Sequence, residues 1–305
     1  MRRVVTLAAA LIASLVLAGP PASAATRPLP VPYNFLPSAI LGGAPGANAP
    51  GTNDWTCKPS AEHPRPVVLV HGTFGNQSTN WSTYGPLLKN NGYCVFAPTY
   101  GTLPGLPYPI AALGGFGDMR TSAEQLQVYI DQVLTATGAD QVDLIGHSQG
   151  TLMPNYYVKH LGGAPKVHNY ISLAPLWHGT DTAPLPLFVQ LFKLDPDAVP
   201  ICTACAQMDA GSPFIAQMRD GGVAVPGVNY VNIVTKYDEL VRPYTSGIEE
   251  GMTNIVLQDH CRIDRSEHFQ IAADRNATLH VLNALDPANP RPLTCTASLP
   301  FVGGL

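Results

Sequence analysis

The sequence predicts an α/β protein: a mostly parallel central sheet flanked by helices, with a cap- or lid-like insertion. Three observations lead there. Short apolar runs such as Pro66-Val67-Val68-Leu69-Val70 alternate with longer helix-like stretches. That alternation builds strand–helix–strand units, whose parallel strands are buried on both faces and read as unbroken apolar runs. Second, Gly146-His147-Ser148-Gln149-Gly150 lies between the apolar run Val142-Asp143-Leu144-Ile145 and a helix-like stretch from Thr151 to Lys159. This is the strand, sharp turn and helix setting that a G-x-S-x-G nucleophile elbow requires. Third, residues 175–227 break the alternation with Pro184, Pro186, Pro196, Pro200 and Pro213, where a cap over the elbow would sit.

Taken in order, Arg2-Arg3, the apolar run from Val4 to Leu17 and the small residues up to Ala24 read as a secretory signal peptide cut after Ala24. No later run is long and apolar enough for a transmembrane segment. Residues 25–54 are rich in proline and glycine without a period, and are expected to wrap the body as a loosely structured arm. A single domain is expected over 55–305. Its elements are a strand over 66–70, a helix over 80–91 capped by Asn80, a strand over 93–98, a long helix over 118–137 stopped by Gly138, and the strand under the elbow. A helix over 149–161 follows, with Pro154 kinking it. Strands over 167–174, 230–234 and 253–257 and a last helix over 268–285 complete the order.

Beyond the leader, 15 basic residues face 21 acidic ones, so the chain is mildly acidic at −6. Nucleic-acid binding, which needs a basic stripe, is excluded. About 280 residues with apolar residues at 46 % suffice for one large core. Six cysteines in an exported chain point to disulfides, and the simplest pairing is sequential: Cys57–Cys94, Cys202–Cys205 and Cys261–Cys295. Cys202-Thr203-Ala204-Cys205 also has redox C-x-x-C spacing, but a structural clip is the reading preferred outside the cytosol. Zinc would need a second ligand pair nearby, and the sequence has none there, so no metal is expected.

A nucleophilic Ser148 needs a base, and the base an acid to orient it. On folds of this kind they follow in the order Ser, Asp or Glu, His. Asp238 comes just past the strand ending at Val234, on the rim that Ser148 occupies, with Glu239 as the near rival. His268, in a polar loop opening the last helix, is the expected base, with His260 as fallback and His280 as a packing residue. His147 is expected to point away from Ser148 as a packing residue, with bracing of the elbow as its alternative role. The oxyanion donors are expected from the amide of Gln149 and from Thr73, in the turn after the first strand, with the Thr73 hydroxyl as a further donor. His71 reads as structural.

The stretch from Val67 to Thr73, the elbow, and Met153-Pro154-Asn155-Tyr156-Tyr157 resemble secreted bacterial class 2 lipases and esterases of the α/β-hydrolase superfamily. Asn232 to Pro243 is similar to the acid loop of yeast lipase B. The resemblance spans about Trp55 to Leu285. It implies an α/β-hydrolase fold and hydrolysis of carboxylic esters, without cofactor. Ser148, Asp238 and His268 would form the triad, and Thr73 and Gln149 the oxyanion donors. An ester or lipid substrate, contact with a lipid–water interface and a monomeric state are expected. An acyltransferase on the same triad, or a binding protein that kept the fold, are the alternatives. Leu185, Leu187, Phe188, Val189, Leu191 and Phe192 are candidates for an acyl pocket or for ordinary core.

Overall fold

The computed structural model describes residues 27–41, 46–105, 108, 110–181 and 202–304. Six parallel strands form its sheet: β1 (Val67–Val70), β2 (Val95–Phe96), β3 (Val142–His147), β4 (Val167–Leu173), β5 (Asn229–Val234) and β6 (Thr253–Val256). Their spatial order is β2-β1-β3-β4-β5-β6. The chain leaves β1 for one edge and returns to β3 on the other side, so the order reverses between β1 and β3. In open parallel sheets the crevice at the carboxyl ends beside that reversal is where ligands bind. Register aligns the strand ends there: Val70 lies opposite Gly146, His147 opposite Leu173, and Leu173 opposite Ile233.

All four β1 side chains are buried, which explains the unbroken apolar run. Val68 and Val70 face one layer with Leu144, Tyr170 and the helices α3 (Met119–Thr137) and α4 (Gln149–His160). Val67 and Leu69 face the other layer with Ile145, Ile171, Ile233 and the final helix, Arg275–Leu285. Asp118 caps α3 by accepting from the Arg120 amide, and Gly138 ends it at φ +77°.

Four expectations change. The helix expected over 80–91 is α2, Tyr84–Asn90, with Thr83 at its start, because the Asn80 side chain turns toward the elbow instead of capping. The strand expected over 93–98 pairs only through Val95–Phe96. The helix expected over 268–285 is split into a 3₁₀ turn, Gln270–Ala273, and Arg275–Leu285. Asp274 breaks it by capping the second piece through the Ala277 amide, 2.8 Å away. The arm is more ordered than its composition suggests and carries the helix α1, Phe35–Leu41. Within the insertion, Thr203–Gln207 and Pro213–Arg219 are helical. The apolar candidates Leu185, Leu187, Phe188, Val189, Leu191 and Phe192 lie outside the described residues, as does the expected signal peptide.

Disulfides join Cys57 to Cys94, Cys202 to Cys205 and Cys261 to Cys295. Among the described residues no helix is long and apolar enough to cross a membrane.

Candidate active site

The elbow is built by exclusion. Ser148 sits at φ 55° and ψ −126°, a sparsely populated conformation for a residue with a side chain. The chain holds it there because strand and helix close tightly on both flanks. A Cβ on Gly146 would lie 2.0 Å from the Gly150 carbonyl oxygen, and one on Gly150 would lie 2.1 Å from the Val70 carbonyl oxygen. Only glycine fits either place. The turn puts Ser148 at the N-terminus of α4, where the first amides have no intrahelical partner.

Three expected residues meet at that point. Ser148 Oγ is 2.9 Å from His268 Nε2, and His268 Nδ1 is 2.9 Å from both carboxylate oxygens of Asp238. Asp238 Oδ1 also accepts from the amides of Leu240 and Val241, which fixes the carboxylate's aim. His268 and Asp238 side chains are 3 % and 2 % exposed, so the pair works almost free of solvent screening. Burial alone would push the His268 imidazole down. The Asp238 charge and hydrogen bond, helped by Glu239 and Glu267, outweigh it and raise the pKa above the ordinary value.

Glu239, the rival acid, turns elsewhere: its Oε2 accepts from the His268 amide at 3.2 Å. Burial pushes its carboxyl up to about 7, against the pull of the His268 charge. His260 is remote from Ser148, with its ring 5.2 Å from that of His280 and its Nε2 near the Thr294 carbonyl. His280 is buried.

The turn after β1 reaches the elbow through Thr73, whose hydroxyl donates to Gln149 Oε1 at 2.8 Å. That bond joins the two residues expected to carry the oxyanion donors. It also commits the hydroxyl hydrogen, so Thr73 is left with its amide for the role. His71 is structural: its Nδ1 donates to the Gly72 carbonyl, its Nε2 accepts from the Tyr100 amide, and its ring stacks on Tyr100.

His147 takes the bracing role, and Asn80 joins it in a part that its sequence setting did not announce. His147 Nε2 donates to the His268 carbonyl at 2.8 Å, and its Nδ1 accepts from Asn80 Nδ2 at 3.2 Å. Asn80 Oδ1 also accepts from the Gly72 amide. The two side chains thereby tie the elbow, the turn after β1 and the histidine loop together. Burial, with the His268 charge adding to it, drives the His147 pKa down to about 3, which keeps this brace neutral. Glu267 locks the same loop from behind, accepting from the amides of Phe269, Gln270 and Phe301.

Ser148, His268 and Thr73 open onto a cavity of about 270 Å³ lined mainly by apolar side chains, among them Phe35, Leu176, Met208 and Leu240. A serine aligned with a carboxylate-held imidazole at a helix N-terminus is equipped for acyl transfer at a carbonyl.

The sheet and elbow are those of an α/β-hydrolase. The family model of class 2 lipases matches residues 64–280, and the chain belongs to that family. Triacylglycerol lipases of Pseudarthrobacter phenanthrenivorans and Burkholderia plantarii are each 37 % identical over 99 residues. The matched part covers 30 % of this chain and 27 % and 24 % of theirs. It thus spans about a quarter of the length of those relatives. Lipase B of Aspergillus fumigatus superposes with a TM-score of 0.59 at 21 % identity, over 81 % of this chain and 57 % of that one. The mature lipase BlEst2 of Bacillus licheniformis gives 0.57 at 18 %, over 80 % and 99 %. At these identities the shared property is the fold.

Proposed function

We propose that the protein is an exported serine hydrolase of carboxylic esters, a lipase acting on fatty-acyl esters through an acyl-enzyme on Ser148. The observation that carries this reading is the unbroken chain from Ser148 through His268 to Asp238 at the wall of an apolar cavity. His268 Nε2 takes the Ser148 proton as Oγ bonds to the ester carbonyl carbon. The carbonyl oxygen gains the displaced electron pair and rests on the amides of Thr73 and Gln149. Collapse breaks the bond to the alcohol, which leaves with the proton from His268. Water, deprotonated by the same imidazole, then attacks the acyl-enzyme and releases the acid. Asp238 stays ionised throughout and stabilises the imidazolium. Export is supported by the signal-like residues 1–24 and by three disulfides, which persist in oxidising compartments.

The test is ester hydrolysis by the wild type and by Ser148→Ala, on soluble short-chain esters and on emulsified triacylglycerols. Loss of both activities in a folded variant is expected, whereas hydrolysis retained by Ser148→Ala would falsify the assignment.

A further inference from the structure

The arm helix α1 lies N-terminal to the family-matched span, yet it reaches the cavity that holds Ser148. Phe35, Leu36 and Ala39, spaced to share one helical face, line that cavity alongside Ser148 and His268. The Phe35 ring lies 6.1 Å from His147 and 5.7 Å from Phe269, the residue after the triad histidine.

The arm is moored at several points. Leu29 exchanges two hydrogen bonds with the Asn90 side chain, and the Pro32 carbonyl accepts from Thr83 Oγ1. The Gln270 side chain accepts from the Phe35 amide and donates to the Tyr33 carbonyl. The Arg275 guanidinium sits 3.9 Å from the centre of the Tyr33 ring. Gln270 follows the histidine loop directly, so the wall and the catalytic loop share an anchor. From Pro28 to Asn53 the sequence contains no charged residue. Among the described residues lining the cavity the titratable side chains are His147 and His268, and the rest of the wall includes the apolar Leu176, Met208 and Leu240.

We infer that α1 is the acyl-chain wall of the substrate site, with Phe35, Leu36 and Ala39 setting which chain lengths are accepted. The inference rests on the ester-hydrolase reading above. An uncharged, moored helix face matches the hydrocarbon half of an ester, since a polar alcohol would leave its hydroxyls without partners against it. Its fixed position makes it discriminating, because a wall that does not yield turns extra methylenes into clashes and missing ones into voids.

The experiment measures kcat/KM for p-nitrophenyl acetate, butyrate and octanoate below their solubility limits, in wild type, Ala39→Trp and Phe35→Ala. A second series holds the acyl group as acetate and varies the alcohol. Filling the cavity with Ala39→Trp is expected to lower the octanoate-to-acetate ratio by about tenfold or more, in line with the discrimination a hydrophobic pocket provides per methylene or two. Opening it with Phe35→Ala is expected to move the preference toward longer chains. Titration with a small serine-directed organophosphate counts folded sites in each variant, and if Ala39→Trp does not fold, the Phe35→Ala ratio decides. An unchanged acyl profile in the folded variants, or a change confined to the alcohol series, overturns the inference. Ser148→Ala in the same assay separates this outcome from failure of the hydrolase reading, which would show as hydrolysis surviving that substitution.

Discussion

Ser148 is held at a backbone conformation that costs on the order of 1–3 kcal/mol, and the return is a hydroxyl already 2.9 Å from its base. The base is in turn only as good as its orientation. Asp238 accepts from His268 Nδ1, which leaves Nε2 free to take the serine proton. Asp238→Asn keeps the shape but invites the opposite tautomer, and kcat is expected to fall by about 10⁴-fold, as a triad of this kind loses when its acid becomes an amide. A fall of less than tenfold would remove Asp238 from the role. Glu239 allows a finer test. Its carboxylate is one of the charges that hold the His268 pKa above its ordinary value. The proposed mechanism needs neutral His268, so activity is expected to fall as pH drops through that raised value. Glu239→Gln removes one supporting charge and is expected to shift the acid limb of kcat/KM to lower pH. An unmoved limb would reduce Glu239 to an anchor for the His268 amide. The sequence order alone singled out Ser148, Asp238 and His268, because acid and base fall at strand and loop ends on one rim. It offers His147 as a brace but is silent on the share Asn80 takes in it. That role depends on a contact 67 residues apart in the chain, and Asn80 carries a plausible local alternative as a helix cap.

At the scale of elements, the legible ones are those whose cause is local: fully apolar strands, and α3 with its aspartate cap and terminal glycine. The last helix reads as one piece in the sequence because its period runs on, although Asp274 offers a cap in its middle. The arm helix gave no signal beyond a short apolar run, since its order comes from Asn90, Thr83 and Gln270, all distant in sequence. Crowding at the elbow makes a direct prediction. Gly150→Ala places a methyl 2.1 Å from the Val70 carbonyl oxygen and 2.5 Å from that of His71, both of them backbone. A loss of about 2–3 kcal/mol is expected, as for overpacking that moves backbone, read as a lower urea midpoint at unchanged slope. The C-terminal segment offers a second test. Cys295 is bonded to Cys261, Thr296 exchanges hydrogen bonds with Asn276, Ser298 accepts from the Arg265 amide, and Phe301 donates to Glu267. The ties at Arg265 and Glu267 hold the loop that carries His268, and those at Cys261 and Asn276 hold the elements on either side of it. Replacing Cys261 and Cys295 together by Ala is expected to cost about 2–5 kcal/mol of stability and to lower kcat more than it raises KM. A variant with wild-type kcat would show that the loop holds its aim without the strap.

For the whole molecule, the sheet order could be read only as far as its class. Alternating strands and helices imply parallel pairing, but nothing in the spacing says that β2 goes to one edge while β3 to β6 go to the other. That placement decides which loops meet, and it also decides which titratable groups are buried together. Burial pushes His71 to about 4, His147 to about 3 and His280 to about 4. Unfolded imidazoles take up protons near pH 6.5, so below about 6.5 the unfolded chain binds more protons at these three sites and stability falls with falling pH. Glu239 and Asp274 act in the opposite sense. Burial pushes each to about 7, so between roughly pH 4 and 7 the folded chain binds more protons at them and stability falls with rising pH. His268, raised above its ordinary value, joins them as the pH passes that value. From about pH 4.5 to 6.5 the two sets offset each other, which predicts a plateau. Below it the histidines remain, and the fold gives way. Above it only the carboxyls and His268 titrate, and stability declines. The proposed mechanism has the reverse need, since its rate is expected to climb as His268 loses its proton through that same raised pKa. The pH of greatest thermal stability is therefore expected to lie on the acid side of the pH of greatest rate. Thermal midpoints and kcat/KM measured over about pH 4 to 9 check this. Coincident maxima, or a midpoint still rising where the rate levels off, would mean that groups other than these buried ones govern the stability of the fold.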